Sequence, residues 1–369
     1  MNMPDHYFYM ARAIQLAQRG HYTTHPNPRV GCVIVRNGEI VGEGFHVRAG
    51  EGHAEVNALA MAGDKANGAD VYVTLEPCSH QGRTPPCANA LIEAGVKRVI
   101  AAMEDPNPSV SGKGFEMLKQ AGIEVQSGIM QTEAENLNPG FLQRMRKGRP
   151  LVRSKLAMSL DGRTAMESGE SKWITSEDAR HDVQRLRASA DAIMTGVETV
   201  LKDDPSLNLR YDELPPDVPA DVPQPVRVIL DSRLRMPDNA KMLSLDGRTI
   251  VFTISSDVEK AEHLKQQGAN VVTVTGENRV DLKVVMKQLA ELQINEVLVE
   301  AGSTLNGALL QAGLIDELIV YVAPKLMGNN AKGLFHLPAL SRMSESINLN
   351  ITDVRSVGKE LRITAKVEK

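Results

Sequence analysis

The chain has 369 residues, with 42 basic and 46 acidic side chains and a formal net charge of −4. At roughly 150 residues per domain, this length predicts two domains. Hydrophobic residues make up 42%, which excludes a disordered chain, because such chains lack the apolar surface that offsets the entropy of ordering. The mild acidity argues against duplex binding, and 4% aromatic residues argue against a base-stacking surface for single strands.

The composition also bears on the compartment. No apolar run reaches the ~18 residues that would predict a membrane span. Asp5, His6 and Arg12 interrupt the N-terminus where a signal peptide needs a long apolar core. Three cysteines, an odd number, do not predict a disulfide framework. We therefore expect a cytoplasmic protein with no membrane or nucleic-acid partner, whose thiols remain available to bind metal.

The first half alternates helices and strands, which is typical of a layered α/β domain. Apolar residues at helical spacing predict a first helix over 5–20, and Asn37-Gly38 predicts a hairpin turn. The other predicted helices are 53–61, 87–94 and 114–121, and the predicted strands are 30–35, 39–45, 71–75, 98–103 and 124–126. The polar, basic segment 144–150 ends in Gly-Pro and predicts a solvated linker, so we place the domains at 1–147 and 148–369.

The second half continues as an α/β pattern. Ser176, followed by two acidic residues, predicts a capped helix start. The prolines of segment 214–225 predict a loop without regular structure. The predicted strands are 151–157, 191–195, 225–231, 249–254, 270–275, 296–300 and 317–323, and the predicted helices are 258–267, 281–293 and 303–312.

The strongest chemical signal is a His-x-Glu motif followed by a Pro-Cys pair and a second cysteine: His53, Glu55, Cys78 and Cys87. One imidazole and two thiolates leave a position open on a tetrahedral zinc ion, as in catalytic sites. Zinc makes hydroxide available near neutral pH, and Glu55, which is not a ligand, is placed to move a proton from water to a leaving amine. We expect Cys87 to begin a helix, whose dipole favours the thiolate, and Cys32 to be a core residue.

This motif is typical of zinc nucleoside and nucleobase deaminases, although here eight residues rather than two separate the cysteines. One alternative is a deaminase of nucleic acids or free nucleosides with a non-reducing second domain. Another is a zinc-stabilised structural or binding protein, which would need a closed four-ligand site. A structural site should unfold on chelation, whereas a catalytic site should mainly lose activity.

Four segments resemble the bifunctional deaminase–reductase family of bacterial riboflavin biosynthesis: 24–32 (THPNPRVGC), 42–46 (GEGFH), 53–55 (HAE) and 74–87 (TLEPCSHQGRTPPC). The resemblance implies a cytidine deaminase-like three-layer α/β/α domain. It also implies a diaminopyrimidinone substrate that carries a ribosylamine 5′-phosphate and exchanges one exocyclic amine for oxygen. The implied substrate-binding residues are Asn27, His46, His80 and Arg83.

The second half contains neither the Rossmann G-x-G-x-x-G nor a Walker-type motif, so a dinucleotide site there needs another fold. Segment 299–308 (VEAGSTLNGA) predicts a strand, a turn of small residues and a helix start whose N–H groups can bind phosphate. With segments 155–165, 171–175 and 199–205, it resembles the reductase half of the same family, which is similar in fold to dihydrofolate reductase.

The reductase resemblance implies NADPH, with Ala157, Trp173, Thr199, Asp203, Ser232, Gly302, Ser303, Thr304, Leu305, Asn306, Gly307 and Ala308 around it. The implied substrate residues are Ser171, Arg187, Leu207, Arg210 and Glu300. Reduction acts at C1′ of the sugar and turns ribosylamine into ribitylamine, and Lys155 and Glu300 are candidates to bind or protonate that sugar. The exposed strand edges of an open sheet favour a homodimer.

Two further features of the reductase half leave alternatives open. A lone tryptophan is more often a core residue, but the polar neighbours of Trp173 favour the rim of a site. Arg233 and Arg235 follow a predicted strand, where a cation can accept the 2′-phosphate of NADPH or simply be solvated. The sequence by itself does not decide between NADPH and NADH.

Overall fold

A computed structural model describes residues 3–79 and 85–368 of the chain. The chain divides into two compact units, Met1–Gly148 and Arg149–Lys369. Within the described residues, no helix combines the length and the apolar character needed to cross a membrane.

The N-terminal unit alternates helices with the strands of one sheet. Its α-helices are α1 (Met3–Gln18), α2 (Ala54–Ala62), α3 (Cys87–Glu93), α4 (Lys113–Gln120), α5 (Gln131–Leu137) and α6 (Pro139–Lys147). Its strands are β1 (Gly31–Arg36), β2 (Glu39–Phe45), β3 (Asp70–Val73), β4 (Arg98–Ala101) and β5 (Glu124–Ser127). A short 3₁₀ helix, Gly63–Ala66, follows α2.

The five strands lie in the order β2-β1-β3-β4-β5, with β1 antiparallel to both neighbours and β3, β4 and β5 parallel. Helices α1, α5 and α6 pack on one face, where Met10 and Phe141 are buried. Helices α2, α3 and α4 pack on the other face, where Ala58 and Leu118 are buried. This arrangement is the predicted three-layer α/β/α domain.

The predicted hairpin turn is present, because Asn37 and Gly38 both have positive φ angles, of 53° and 85°. The predicted linker at 144–150 is wrong at its start, since α6 continues to Lys147 and Gly148 ends it in a left-handed conformation. The basic residues of the segment, Arg144 and Arg146 among them, occupy the last turn of the helix, where they complement its dipole.

The C-terminal unit is built on a nine-stranded sheet. Its α-helices are α7 (Glu177–Ala188), α8 (Val197–Asp203), α9 (Val258–Gln266), α10 (Leu282–Glu291) and α11 (Ser303–Gln311). Its strands are β6 (Leu151–Ser159), β7 (Arg163–Ala165), β8 (Ala192–Gly196), β9 (Val226–Leu230), β10 (Thr249–Thr253), β11 (Ala269–Thr273), β12 (Glu296–Val299), β13 (Glu317–Ala323), β14 (Lys332–Gly333), β15 (Leu349–Val357) and β16 (Glu360–Val367). Short 3₁₀ helices cover Tyr211–Glu213, Lys241–Ser244 and Met343–Glu345.

The strand order is β11-β10-β9-β8-β12-β6-β13-β16-β15, and β7 pairs separately with β14. The strands from β11 to β13 are parallel, whereas β16 and β15 run antiparallel to their neighbours. Helices α10 and α11 cover one face, with Met286 and Leu309 buried. Helices α7, α8 and α9 cover the other face, with Val183, Val200 and Leu264 buried.

Two local expectations for this unit have different outcomes. Segment 214–225 has no helix or strand, as predicted. Ser176 does precede α7 as its N-cap residue, but its hydroxyl does not cap the helix. Instead, both the N–H and the hydroxyl of Ser176 donate to the buried carboxylate of Glu360, which competes for the groups that capping would use.

Candidate active sites

The predicted zinc residues are positioned by the close packing of α2 on β2. A side chain at Gly42 or Gly44 would collide with the α2 backbone, at Ala58 and Ala54 respectively. Only glycine lets helix and strand approach so closely. The motif GEGFH therefore places the start of α2, with its N-cap residue His53, over the edge of the sheet.

The three predicted zinc ligands lie together. The ligand atoms of His53, Cys78 and Cys87 are all within 4.8 Å of one another. His53 Nδ1 is 3.2 Å from the Cys87 sulfur and 3.6 Å from the Cys78 sulfur. Cys87 begins α3, as predicted, and its backbone N–H donates to the Cys78 sulfur at 3.3 Å. Cys32 is fully buried in the core beside α2, α3 and α4, also as predicted.

The two thiols shift each other's pKa through the hydrogen bond between them. Hydrogen bonds from Cys87 and His53 lower the pKa of Cys78 to about 4, against the effect of burial. The hydrogen bond between Cys87 and Cys78, together with burial, raises the pKa of Cys87. Two sulfurs and one imidazole nitrogen are the donor set of a zinc site that keeps one position open.

Glu55 lies beside this triad, in the first turn of α2, with 4% of its surface exposed. Burial and the neighbouring Cys78 thiolate raise the pKa of Glu55 to about 7, although His53 and Cys87 act in the opposite direction. A carboxyl group with a pKa near neutrality can both accept and return a proton at physiological pH. This is the property that the proposed proton transfer needs.

Two of the predicted substrate residues also lie at the triad. The His46 ring centroid is 5.2 Å from that of His53, and burial lowers the pKa of His46. His46 Nδ1 donates to the carbonyl of Gly52 at 3.2 Å, so its Nε2 accepts from the Asn27 amide at 3.1 Å. Asn27 is therefore held with its carboxamide beside the site. His80 and Arg83 lie outside the described residues.

A loop that was not predicted from the sequence, which follows β4, also lies at this site. Asp105 in this loop has a pKa raised to about 6, mainly by burial and also by the charges of Glu76 and Cys78. A cavity of about 370 Å³ opens next to it, lined by residues that include Glu104, Asp105, Ser111, Gln131 and Arg146. The acidic and polar run EDPNPSVSG at 104–112 is the sequence signal that points to this loop.

In the C-terminal unit, many predicted cofactor residues lie at the carboxyl ends of neighbouring parallel strands. Thr199 follows β8, Ser232 follows β9 and Gly302 follows β12, and these three strands are adjacent in the order β9-β8-β12. This is the edge at which open α/β sheets bind ligands. Ala157 lies on β6, which pairs with β12. Ser232 already uses its hydroxyl as an acceptor for the Val280 N–H.

The N-terminus of α11 is accessible and has no side-chain cap. Gly302 is its N-cap residue, no side chain caps the helix, and a Cβ at Gly302 would meet no atom within 4 Å. Ser303, Thr304 and Leu305 therefore present first-turn N–H groups at an accessible helix N-terminus. Ala308 is half-buried farther along the helix.

Two predicted cofactor residues of α11 act within the fold. Asn306 is fully buried, accepts from Ser154 at 2.6 Å and donates to the carbonyls of Ala301 and Gly302 at 2.8 and 3.2 Å. Gly307 is buried where a side chain would collide with the His336 carbonyl. These residues shape the turn that begins α11, so any influence of their side chains on a ligand there passes through the backbone.

The predicted reductase residues Arg187, Glu300 and Lys155 form a charged cluster. Arg187 donates to both carboxylate oxygens of Glu300, at 2.6 and 3.0 Å, and to the Asn208 carbonyl at 2.9 Å. Burial would raise the pKa of Glu300, but Arg187, Lys155 and Arg210 together lower it. Burial lowers the pKa of Lys155, Glu300 partly offsets this effect, and Arg187 lowers the pKa further.

Lys155 is also placed against an aromatic ring. Its Nζ lies 6.0 Å from the ring centroid of Tyr321, which is fully buried. The Tyr321 hydroxyl donates to Asp182 at 2.6 Å, and Arg362 donates to the same carboxylate oxygen at 2.8 Å. This network fixes the ring and therefore limits where the ammonium group of Lys155 can lie.

Leu207 and Arg210 flank the cluster in the loop after α8. The Leu207 side chain is 3% exposed and packs in the core with α8 and α9, so only its backbone can contact a ligand. Arg210 is exposed and pairs with Glu213 at 3.0 Å. Its backbone N–H donates to the buried Gln184 of α7 at 3.2 Å, which attaches this loop to the helix that carries Arg187.

Ser171 and Trp173 lie in an exposed loop before α7. Trp173 is 65% exposed, with Arg180 stacked on its ring at 4.6 Å, so it is not a core residue. Lys172 pairs with Asp203 at 3.9 Å, which places this loop beside the end of α8. The loop that carries Ser171 and Trp173 thus lies next to Asp203, and these three residues are called the rim below.

Two protein-family models match the chain. Residues 3–103 match the cytidine and deoxycytidylate deaminase zinc-binding region. Residues 150–363 match the RibD C-terminal domain. The first match contains all four residues of the predicted zinc site discussed above, His53, Glu55, Cys78 and Cys87. The second contains all the predicted reductase residues.

The chain is similar over nearly its full length to proteins named riboflavin biosynthesis protein RibD. That of Escherichia coli K12 is 54% identical over 364 residues, which are 97% of this chain and 98% of the relative. The structure of Acinetobacter baumannii RibD, form 1, is 47% identical, with a TM-score of 0.93 and full coverage of both chains. A diaminohydroxyphosphoribosylaminopyrimidine deaminase/5-amino-6-(5-phosphoribosylamino)uracil reductase from Thermotoga maritima is 34% identical, with a TM-score of 0.85 and 99% coverage of both chains.

Proposed function

Because the chain belongs to the RibD family of riboflavin biosynthesis proteins, and is thus a hydrolytic deaminase and a reductase, we propose a substrate and a residue assignment for each activity. The deaminase acts on 2,5-diamino-6-ribosylamino-4(3H)-pyrimidinone 5′-phosphate and occupies 1–147. The reductase acts on 5-amino-6-(5-phosphoribosylamino)uracil with NADPH and occupies 148–369. The cytidine deaminase-like and dihydrofolate reductase-like folds predicted for the two halves are both confirmed.

The geometry around Glu55 supports the deaminase assignment. His53, Cys78 and Cys87 would hold a zinc ion, which would supply an activated water molecule for attack on the ring carbon. Glu55 accepts a proton from that water and donates it to the exocyclic amine. The water oxygen bonds to the ring carbon, its second proton passes to the adjacent ring nitrogen, the C–N bond to the amine breaks, and ammonia leaves with a C=O group in its place. Asn27 and His46 bind the pyrimidine edge, and we assign His80 and Arg83 to the substrate from the family resemblance alone.

The observation that supports this proposal most directly is the convergence of three ligand atoms within 4.8 Å beside a buried carboxyl group. Its test is Cys78→Ala, which removes one of the three ligands. We expect loss of bound zinc and of deamination, measured by metal analysis and by ammonia release, with reduction unchanged. Cys32→Ala is the matched control, since it removes a buried thiol that is not a ligand and should keep the metal. Stoichiometric zinc in Cys78→Ala would contradict the ligand set.

The carboxyl ends of β8, β9 and β12 support the reductase assignment. NADPH, when bound, supplies the hydride that reduces C1′ of the opened sugar. The first-turn N–H groups of α11 bind its phosphates, and Ala157, Thr199, Ser232 and the rim formed by Ser171, Trp173 and Asp203 surround the rest. Arg233, exposed after β9, is our candidate for the 2′-phosphate. Arg235 is the weaker candidate because it pairs with Glu198.

The charged cluster on the same face binds the sugar. Arg187 and Arg210 are cations for the substrate phosphate or a ring carbonyl, and the Leu207 backbone lies beside them. Lys155 donates the proton that accompanies hydride addition at the C1′ imine. Glu300 orients Arg187 through two hydrogen bonds, and its charge raises the pKa of Lys155 against the effect of burial.

A homodimer and a cytoplasmic location, both expected from the sequence, stay predictions. The homodimer is supported by β15, which lies at the edge of its sheet and so has a row of backbone groups without a strand partner. Leu349, Ile351 and Val354 are exposed on this strand. Pairing with β15 of a second copy would give these backbone groups hydrogen-bond partners and cover the exposed apolar side chains.

Ile351→Lys should therefore give a monomer, because a charge at the paired edges opposes association. Light scattering after size-exclusion chromatography measures this over a range of concentrations. Val258→Lys, at an exposed apolar residue of α9, is the control and should leave the mass unchanged. A wild-type monomer, or a dimer that survives Ile351→Lys, would rule out this interface.

A further inference from the structure

Glu76 is a buried carboxylate that accepts four backbone hydrogen bonds from the loop after β4 and the first turn of α4. Its Oε2 accepts from the N–H groups of Asp105 and Gly112, at 3.1 and 3.0 Å. Its Oε1 accepts from those of Gly114 and Phe115, at 2.9 and 3.3 Å. Only 3% of Glu76 is exposed. This one side chain thus holds the segment from the end of β4 to the first turn of α4.

The same segment packs tightly against the backbone next to Cys78, one of the proposed zinc ligands. A Cβ at Gly114 would collide with the carbonyl of Pro77, the residue between Glu76 and Cys78. Glu76 also donates its own N–H to the Met103 carbonyl at 3.0 Å. The backbone just before Cys78 is therefore fixed from the side of β4 and α4.

Cys78 is fixed from its other side by α3. Its carbonyl accepts from the Ala88 N–H at 3.2 Å, and its sulfur accepts from the Cys87 N–H at 3.3 Å. The α3 contacts involve the second ligand, Cys87, so they move with the metal site. Glu76 is the element that ties Cys78 to the sheet and to the loop that carries Asp105.

We propose that Glu76 is a positioning residue of the deaminase, which sets the location of the Cys78 sulfur and the Asp105 loop by clamping α4 against the Glu76–Cys78 segment. The proposal rests on the zinc ligand set given under Proposed function. Partners that orient metal ligands usually change metal affinity about 10- to 100-fold when they are removed. A carboxylate is required because all four neighbours are donors, and an amide offers one oxygen and an NH₂ group that cannot accept.

The test is Glu76→Gln in the full chain. We expect the zinc affinity, measured by competition with a chelating dye, to fall about 10-fold or more. We also expect the thiolate-to-metal absorption band of the Co²⁺-substituted protein to shift, because the Cys78 sulfur changes position. Deamination should fall in kcat, whereas reduction of the uracil intermediate by the same chain should stay at the wild-type rate and report that the chain has folded.

Glu360→Gln is the matched control. Glu360 is likewise buried and accepts a backbone N–H at a helix start, from Ser176 before α7, but it lies in the C-terminal unit. It should leave zinc affinity and the Co²⁺ spectrum unchanged. Wild-type affinity and spectrum in Glu76→Gln would overturn the proposal, and so would a loss of deamination without any change in either.

Gly114→Ala tests the same clamp without removing the carboxylate. The added Cβ pushes on the Pro77 carbonyl and approaches Glu76 Oε1 to 3.1 Å. It should reproduce the spectral shift and the loss of affinity, and a wild-type spectrum would count against the clamp even if Glu76→Gln fails to fold. Wild-type protein that binds no zinc would instead contradict the proposed ligand set.

Discussion

Glu55→Gln should remove nearly all deamination while zinc and reduction remain. The substitution keeps the shape of the side chain but leaves no group that can take a proton from water and return it to the leaving amine. General acid–base catalysis typically contributes about 10²- to 10⁴-fold to a rate, and Glu55 acts in both directions, so we expect a loss of about 10³-fold or more. Ammonia release from the diaminopyrimidinone substrate measures it.

The zinc content of the variant distinguishes proton transfer by Glu55 from a role as a metal ligand. Glu55 is not among the residues whose ligand atoms converge, so Glu55→Gln should keep one zinc per chain. Glu116→Gln, a change of the same kind at an exposed residue of α4, is the control and should leave deamination unchanged. Substantial deamination by Glu55→Gln would show that the proton passes through another group.

Lys155→Met should remove most of the reductase activity while deamination remains. The change keeps the length of the side chain, removes the proton donor and leaves the Arg187–Glu300 ion pair balanced, so the chain should fold. Loss of a general acid predicts a fall of about 10²- to 10⁴-fold in NADPH oxidation with the uracil intermediate. Deamination should be unchanged. Lys287→Met, at an exposed lysine of α10, is the control. Equal loss of both activities would indicate misfolding instead.

The pH dependence of reduction gives a second test of Lys155 as the proton donor. The groups that face Lys155 are Glu300, Arg187 and the Tyr321 ring, with Asp182 and Arg362 behind the ring. Burial lowers the pKa of Lys155 below its ordinary value. A proton donor is active in its charged form, so reduction should decline as pH rises through this lowered pKa. The residual activity of Lys155→Met should lack that decline, and a decline that persists would assign it to another group.

Most helices and strands were predictable because their apolar residues follow a regular period and one face is buried. The C-terminal hairpin of β15 and β16 escaped prediction for the opposite reason. Nearly all of β15 is exposed, and its register shifts between Ile351 and Asp353, so no alternation of buried and exposed residues marks it. The last turn of α6 was taken for a linker because its charged residues face outward.

The residues of the sites were also predictable only in part. Motif spacing identified His53, Glu55, Cys78 and Cys87, because a metal ion constrains residue types and order. It did not show that Glu76 holds the loop at 105–115, since that contact depends on how distant segments meet. Leu207 and Asn306 were placed by resemblance, and only the structure shows that one side chain is in the core and the other is used inside the fold.

We propose that one chain performs two successive reactions on a pyrimidine ribosylamine phosphate. The most direct test is a product mass spectrum, taken after purified, zinc-loaded protein has acted on the diaminopyrimidinone substrate with and without NADPH. We predict exchange of an amine for oxygen under both conditions, and added hydrogens only with NADPH. Exchange without reduction under either condition would contradict the assignment of 148–369, and no change in mass would contradict the substrate.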